Sequence, residues 1–494
     1  MTHGAEFSWL FPALGLAGML ASLALLIWFA WRGWSVLLLA PLAAMLAALI
    51  SSEPVLAHWT QIFMPAAARF LAQFFPLFLL GALFGKLMED SGSMHAIAGF
   101  MQRRFGPGRA ILATVLCGAL VTYGGISLFV AFFVLAPMAE QLFRANNLPR
   151  RLLPATIVLG TSTFSMSALP GTPAIQNAIP MTVFGTTPFA APGLGLVASL
   201  VIAGFGLWWL DRQQALAREL GQGYDFQLPA PPIEPSLVRE RATVAQGFDP
   251  EEVAHARPAN ALPPSALAFA PLLVVVAGNF VMNLLVLPRM DAAYLEQTRF
   301  GATTLAEVGG VWGISVALGL GIVAVIGLNR RRFAALRESV DAGVNAAALP
   351  ILSVCSLVGY GAVIAALPAF ALVRDWLLAL GGGPLVSLAL ATNLLAALTG
   401  SASGGMTIAL DALGPSYLEL AAQQHIDPGL LHRIAVMSSG TLDTLPHNGA
   451  VVTLLAVCGC SHRESYRDIA VVAIVGALLA LALVIGLGSV FGSF

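Results

Sequence analysis

From Ser438 to Ala450 the chain reads Ser-Ser-Gly-Thr-Leu-Asp-Thr-Leu-Pro-His-Asn-Gly-Ala, a polar island between two mostly apolar runs, Leu430 to Met437 and Val451 to Val457. Together the runs are long enough to cross a bilayer. An ionisable side chain at the centre of a transmembrane helix costs at least ~2.5–3.5 kcal/mol, and a proline removes a backbone donor. A chain that keeps Asp443, Pro446, His447 and Asn448 at such a place is expected to break the helix there. The loosened backbone and polar side chains would then line a solvated cavity enclosed by protein.

The composition fits that setting. The 494 residues are 58% hydrophobic and only 10% charged, with a mean hydropathy of +0.84, whereas soluble domains carry about 25% charged residues. An all-α polytopic membrane protein is the expected class. The net charge of -1 and the scarcity of basic runs give no support for nucleic-acid binding, and no nucleic-acid partner is expected. Cys117, Cys355, Cys458 and Cys460 lie in or beside apolar segments, and Cys458 and Cys460 lack the second pair that a zinc site needs, so neither a disulfide framework nor a metal site is expected. The first apolar run has no basic segment ahead of it and reads as a retained span.

In chain order, Trp9 to Trp31, Val36 to Ile50 and Phe70 to Met88 read as spans, with Lys86, Glu89 and Asp90 marking a water interface. Ser91 to Arg109 reads as an interfacial connector. Ala110 to Glu140 is interrupted at Gly124-Gly125, as two half-helices meeting at a re-entrant turn would be. Leu152 to Phe184 is broken by Thr161-Ser162-Thr163 and again by Pro170, Gly171, Thr172 and Pro173. Leu194 to Leu210 closes the first half (1–210). Residues 211–264, rich in proline and mixed charge, form a polar linker on the cytoplasmic side. The second half (265–494) contains Ala266 to Leu287, Val308 to Leu328 and a kinked Ala346 to Val373. A second hairpin, Leu385 to Leu410, is interrupted by Thr399 to Gly405 and followed by an amphipathic connector, Pro415 to Pro428. The broken span with which we began and Ile469 to Val490 complete the chain.

Arginines test this layout. With ten spans and two hairpins, Arg32, Arg103, Arg104, Arg109, Arg144, Arg150, Arg151, Arg330 to Arg332, Arg337, Arg463 and Arg467 share one face, which the positive-inside rule makes cytoplasmic. Both termini are then periplasmic. An internal repeat supports the same picture. Asn147-Leu-Pro followed by an apolar run and Leu169-Pro-Gly-Thr-Pro-Ala resembles Ile426-Asp-Pro followed by a similar run and Leu445-Pro-His-Asn-Gly-Ala. Each unit follows a hairpin, and the hairpins open from opposite sides, so the units are expected to be inverted repeats around one central site.

Gly81 to Gly92, reading Gly-Ala-Leu-Phe-Gly-Lys-Leu-Met-Glu-Asp-Ser-Gly, resembles the gluconate permease (GntP) family, as do Ala168 to Pro180, Thr399 to Leu410 and Ser439 to Gly459. The resemblance covers most of the chain apart from the linker. It implies an inner-membrane carrier of small hydroxy- or keto-carboxylates moved with protons, an ion-transporter fold with a scaffold and a moving transport domain, and a homodimer. Within the family, Leu445-Pro-His-Asn-Gly resembles the D-β-hydroxybutyrate permease-like branch more than the sugar-acid carriers.

An anionic substrate in a dry cavity needs donors, which half-helix amino termini supply. Gly124, Gly125, Thr161, Ser162, Thr163, Asn177, Ser401, Ser403, Thr441 and Asn448 are the expected substrate-binding set. The alternative for each hydroxyl is a bond back to its own helix carbonyls. Asp443 and His447, four apart, would share a face of a continuous helix and pass a proton between them. Arg433 and Arg374 are expected to snorkel from span ends, and His432 is given no role. No cofactor is expected. Ser401 to Gly405 lacks the Gly-Lys-Ser/Thr of a phosphate loop, which argues against nucleotide hydrolysis and for a carrier, not an enzyme. Sodium coupling and an anion channel are the alternatives.

Overall fold

The computed structural model describes residues 10–31, 34–105, 108–126, 128–224, 262–378, 381–446 and 448–494, and all secondary structure in them is helical. The first half comprises α1 (Leu10–Trp31), α2 (Val36–Ile50), α3 (Met64–Asp90), α4 (Ser93–Phe105), α5 (Ala110–Tyr123), α6 (Leu128–Ala145), α7 (Leu153–Thr161), α8 (Phe164–Ser167), α9 (Ile175–Phe184) and α10 (Pro192–Glu219). The second comprises α11 (Ser265–Val281), α12 (Leu305–Asn329), α13 (Leu336–Asn345), α14 (Ala348–Ala366), α15 (Phe370–Leu378), α16 (Gly383–Thr399), α17 (Ala402–Gln423), α18 (Pro428–Ser439), α19 (Gly449–Val457), α20 (His462–Ala470) and α21 (Gly476–Phe491).

Among the described residues six helical stretches are long and apolar enough to cross a membrane: Val55–Asp90, Pro192–Glu219, Ser265–Arg289, Leu305–Asn329, Leu336–Ala366 and His462–Phe491. Shorter apolar helices include Val36–Ile50 and the hairpin arms Ala110–Tyr123 and Gly383–Thr399. The apolar windows of these stretches also reach the outer surface. Leu200, Leu273 and Val323 are more than 60% exposed, a placement that suits hydrocarbon and not water. The protein is therefore a multi-pass membrane protein.

Both interrupted regions break where the glycines and hydroxyl residues stand. In the first hairpin α5 packs against α6 across a turn at Gly124 and Gly125. Gly125 has φ +93°, a conformation side chains resist, and its Cα faces the Pro173 ring. In the second hairpin α16 packs along α17 across Gly400 and Ser401. There a Cβ on Gly405 would overlap the backbone of Ala396, so the arms touch main chain to main chain. Ser401 caps α17 by accepting from the Gly404 amide at 3.2 Å. The first broken span is α7, α8 and α9, with its last gap at 168–174; the second is α18, a 3-10 turn at Leu442–Thr444, and α19.

Three boundaries differ from the sequence expectation. α10 runs on to Glu219, so residues 211–219 are helix and not linker; most of the expected linker, 225–261, lies outside the described residues. α17 continues to Gln423 with Pro415 inside it, so the expected connector is the end of the second hairpin arm. The charges at the end of α3 do not face water. Lys86, Glu89 and Asp90 are buried against one another, because spacings of three and four place the two carboxylates over the same face as the lysine.

Candidate functional site

The stretches on either side of α9, 168–174 and 185–191, free backbone carbonyls, and side chains of α5, α11, α18 and α9 itself take them up. Tyr123 at the first hairpin tip donates its hydroxyl to Pro170 O at 2.8 Å. Asn279 of α11 donates to Gly171 O at 2.7 Å. Arg433 of α18, fully buried, donates Nη1 to Ala168 O at 3.2 Å and Nη2 to Ala190 O at 2.6 Å. Asn177 gives its amide protons to Thr172 O and Pro188 O, each at 3.0 Å. Its Oδ1 therefore accepts from His432 Nε2 at 3.0 Å, and the Thr186 hydroxyl lies 2.6 Å from Nδ1. Unpaired carbonyls in a dry interior are costly, so these contacts hold the break in one shape.

The second gap is tied to its own hairpin. Asn448 caps α19 by accepting from the Ala450 amide at 2.7 Å and donates Nδ2 to Gly400 O, also at 2.7 Å. Tyr466 donates to Thr444 O at 3.3 Å, and His462 Nε2 donates to Pro446 O at 2.9 Å. Asp443 sits in the 3-10 turn, half-buried, with Oδ1 shut off from solvent and without a hydrogen-bond partner.

A cavity of about 250 Å³ lies where the pieces meet. Its wall takes Thr122, Gly125, Ile126 and Leu128 from the first hairpin, Thr161, Met166 and Pro173 to Gln176 from the first broken span, and Ser403 from the second hairpin. The far wall is Leu77, Phe78, Gly81 and Ala82 of α3 with Ala346, Ala347, Pro350 and Val354 around the start of α14. Besides the start of α14, three helix amino termini at the breaks border this space: α6 at Leu128, α9 at Ile175 and α17 at Ser403. Amides of a first helical turn lack intrahelical acceptors and carry partial positive charge, which favours an anion.

Of the expected set, Gly125, Thr161 and Ser403 line this cavity. Gly124 is in the hairpin turn beside Leu272. Several of the hydroxyls bond to their own helices: Thr161 to Ile157 O, Thr163 to Leu159 O and Thr441 to Met437 O, at 2.7–2.8 Å. Ser162 lies 3.2 Å from the Thr161 hydroxyl. Asn177 and Asn448 spend their amide protons on carbonyls of the breaks. Asp443 does not belong to the cavity wall, and the turn followed by extended Leu445 removes the continuous helix on which it would share a face with residue 447. His447 itself lies outside the described residues.

Arg433 does not snorkel, because the carbonyls opened by the first break lie within its reach and water does not. His432 has the role just described. The signal for both was an adjacent basic pair inside an apolar run with no acidic residue within the following turn, since ionisable residues kept within spans usually have a partner.

The architecture is that of an all-helical, multi-span membrane protein with an interior cavity bordered by helix breaks. A family model described as GntP family permease matches residues 15–199. The chain is 40% identical over 477 residues to the uncharacterized transporter YxjC of Bacillus subtilis (strain 168), covering 94% of this chain and 97% of that protein. The chain belongs to the GntP family of permeases, and is a transporter and not an enzyme. It is also similar to the crystal structure of the Alcanivorax borkumensis YdaH transporter, with 16% identity and a TM-score of 0.45 over 86% of this chain and 88% of that one.

Proposed function

We propose that this permease is a proton symporter of a small organic anion, a hydroxy- or keto-carboxylate such as 3-hydroxybutyrate or a sugar acid such as gluconate. The observation that carries the reading is the cavity bordered by three helix amino termini at the breaks. At about 250 Å³ it falls just under the ~300–1,000 Å³ usual for drug-sized ligands. That suits a small acid. Gly125, Thr161 and Ser403 face the substrate directly. Gly124, Ser162, Thr163, Asn177, Ser401, Thr441 and Asn448 shape the breaks whose amides bind it. Asp443, with His447, carries the coupling proton.

In this reading the two hairpin-and-broken-span units are inverted repeats of a transport domain moving against a scaffold in a homodimer. The dimer sits in the inner membrane with both termini periplasmic and the linker cytoplasmic. Adding 3-hydroxybutyrate to proteoliposomes containing a pH-sensitive dye is expected to acidify the lumen, and Asp443→Asn to abolish the response. Saturable uptake with no proton entry would remove proton coupling. Sodium coupling is the second reading. It is favoured by buried side-chain oxygens without partners on the helices around the second break, Thr392 Oγ1, Asn393 Oδ1, Ser438 Oγ and Asp443 Oδ1. Uptake in sodium-free buffer decides between them.

A further inference from the structure

One cluster of titratable groups stands apart from the cavity wall. At the end of α3, Lys86 Nζ lies 3.1 Å from Asp90 Oδ1 and 3.6 Å from Glu89 Oε2, and the three side chains are 0%, 5% and 6% exposed. These are ion pairs only. Lys86 Nζ, Glu89 Oε2 and Asp90 Oδ1 each lack a hydrogen-bond partner. One ammonium facing two carboxylates leaves a net charge of -1 in the interior, +1 - 1 - 1.

Neighbouring elements do not supply the missing cation. His95, Arg103 and Arg104 on α4 are exposed, as is Glu338 on α13. Arg337 pairs with Asp341 on the surface of α13. Beyond α12, Arg330 and Arg331 are exposed; half-buried Arg332 donates Nη1 to Asn329 Oδ1 and Leu328 O, its Nε is buried without a partner, and it makes no ion pair with Glu89 or Asp90. On α6, Glu140 pairs with Arg144. Burying an uncompensated charge is expensive, and two carboxylates competing for one ammonium relieve that cost when one of them takes up a proton.

The cluster is also joined to the cavity. Gly81 and Ala82, five and four residues before Lys86 on the same helix, line it. Gly343 of α13 packs against Lys86 Cβ and Leu83 Cα, and Ala346 and Ala347, a few residues later, line it too. The lysine therefore stands about one helical turn, ~6 Å along the axis, from the cavity wall.

We propose that Lys86, Glu89 and Asp90 form a proton-binding station between the cavity and the membrane face at which α3 ends. One proton from water is held on one carboxylate of the cluster while the cluster is closed, and returns to water when that end of α3 is hydrated. Only an O–H bond forms and breaks. A metal cation at the same oxygens would be repelled by the Lys86 ammonium. The role in transport rests on the symport reading above; the binding of the proton does not.

The test is infrared difference spectroscopy of the purified full-length protein in lipid nanodiscs, following the carboxylic-acid C=O stretch as pH is stepped with no organic acid present. Wild type minus Glu89→Gln and wild type minus Asp90→Asn are each expected to show one protonated carboxyl that ionises as pH rises. Either variant leaves one carboxylate opposite one ammonium, with no excess charge to neutralise. Glu89→Asp keeps the charge count and is expected to keep the band. Difference spectra with no protonated carboxyl would overturn the proposal. In proteoliposomes the two neutralising variants are expected to lose at least tenfold in accumulation of labelled 3-hydroxybutyrate driven by a pH gradient, with Glu89→Asp restoring part of it. Wild-type accumulation in both would overturn the role in transport. A wild type that accumulates no acid counts against symport and leaves the infrared result to decide the station.

Discussion

Asn448 and Gly400 are 48 residues apart in the chain, yet Asn448 Nδ2 donates to Gly400 O at 2.7 Å, joining the second break to the turn of the second hairpin. The same side chain caps α19 through the Ala450 amide. Asn448→Ala removes both contacts and leaves a half-buried carbonyl unpaired, at a cost of about 1–2 kcal/mol. Asn448→Asp keeps the cap but sets a carboxylate against that carbonyl. Both variants are expected to lower the melting temperature in detergent and to lose most uptake; full uptake in Asn448→Asp would show that the Gly400 contact is dispensable.

Arg433 bridges Ala168 O and Ala190 O, the two chain ends flanking the gapped stretch that holds α9. A lysine offers one point donor where the guanidinium forks. Arg433→Lys is expected to cost about 1–3 kcal/mol, the desolvation penalty of one stranded carbonyl, and Arg433→Met more. Thermal unfolding of the purified variants reads this directly. Equal stability of Arg433→Met and wild type would contradict the bridging role.

The cavity can be filled without disturbing the fold. A Cβ added at Gly81 meets no atom within 4 Å, and the residue lines the cavity. Gly81→Leu is expected to weaken binding of a carried acid at least tenfold. The melting temperature should stay level or rise, since replacing a mid-helix glycine with an alanine gains about 0.5–1 kcal/mol. Scintillation proximity binding and a melting curve on the same sample separate the two effects.

At Gly405 the reverse holds, because a Cβ there overlaps the main chain of Ala396. Gly405→Ala is expected to push the hairpin arms apart and cost about 1–3 kcal/mol, the usual size of an overpacking penalty. Native-state proteolysis would show the α16–α17 turn opening first.

The hairpin breaks were legible because glycines act locally, Gly124-Gly125 and Gly400 standing in the two turns, whereas proline alone was no guide: Pro415 lies inside α17, and α18 ends at Ser439, well before Pro446. The hairpin tips followed from the same reading, and Ser403 lies on the cavity wall. Destinations of long side chains were not legible. Arg433 is buried because a gap some 250 residues earlier in the chain exposes Ala168 O, a tertiary fact that no local pattern carries. Asn177 and Asn448 were read as substrate donors; their amide types were informative, but the acceptors they chose depend on how the breaks fold back. The Lys86 cluster was written in its spacing, yet its place at a span end resembled an interface until α13 covered it.

A carrier requires the cavity beside Gly81 to open in turn to both faces of the membrane. The four native cysteines are buried, so a cysteine at Gly81 offers one reactive thiol to an impermeant reagent applied to right-side-out or inside-out vesicles. Modification from both sides, slowed by added 3-hydroxybutyrate or gluconate, is the predicted result. Modification from one side only, at a rate that no small carboxylate changes, would contradict it.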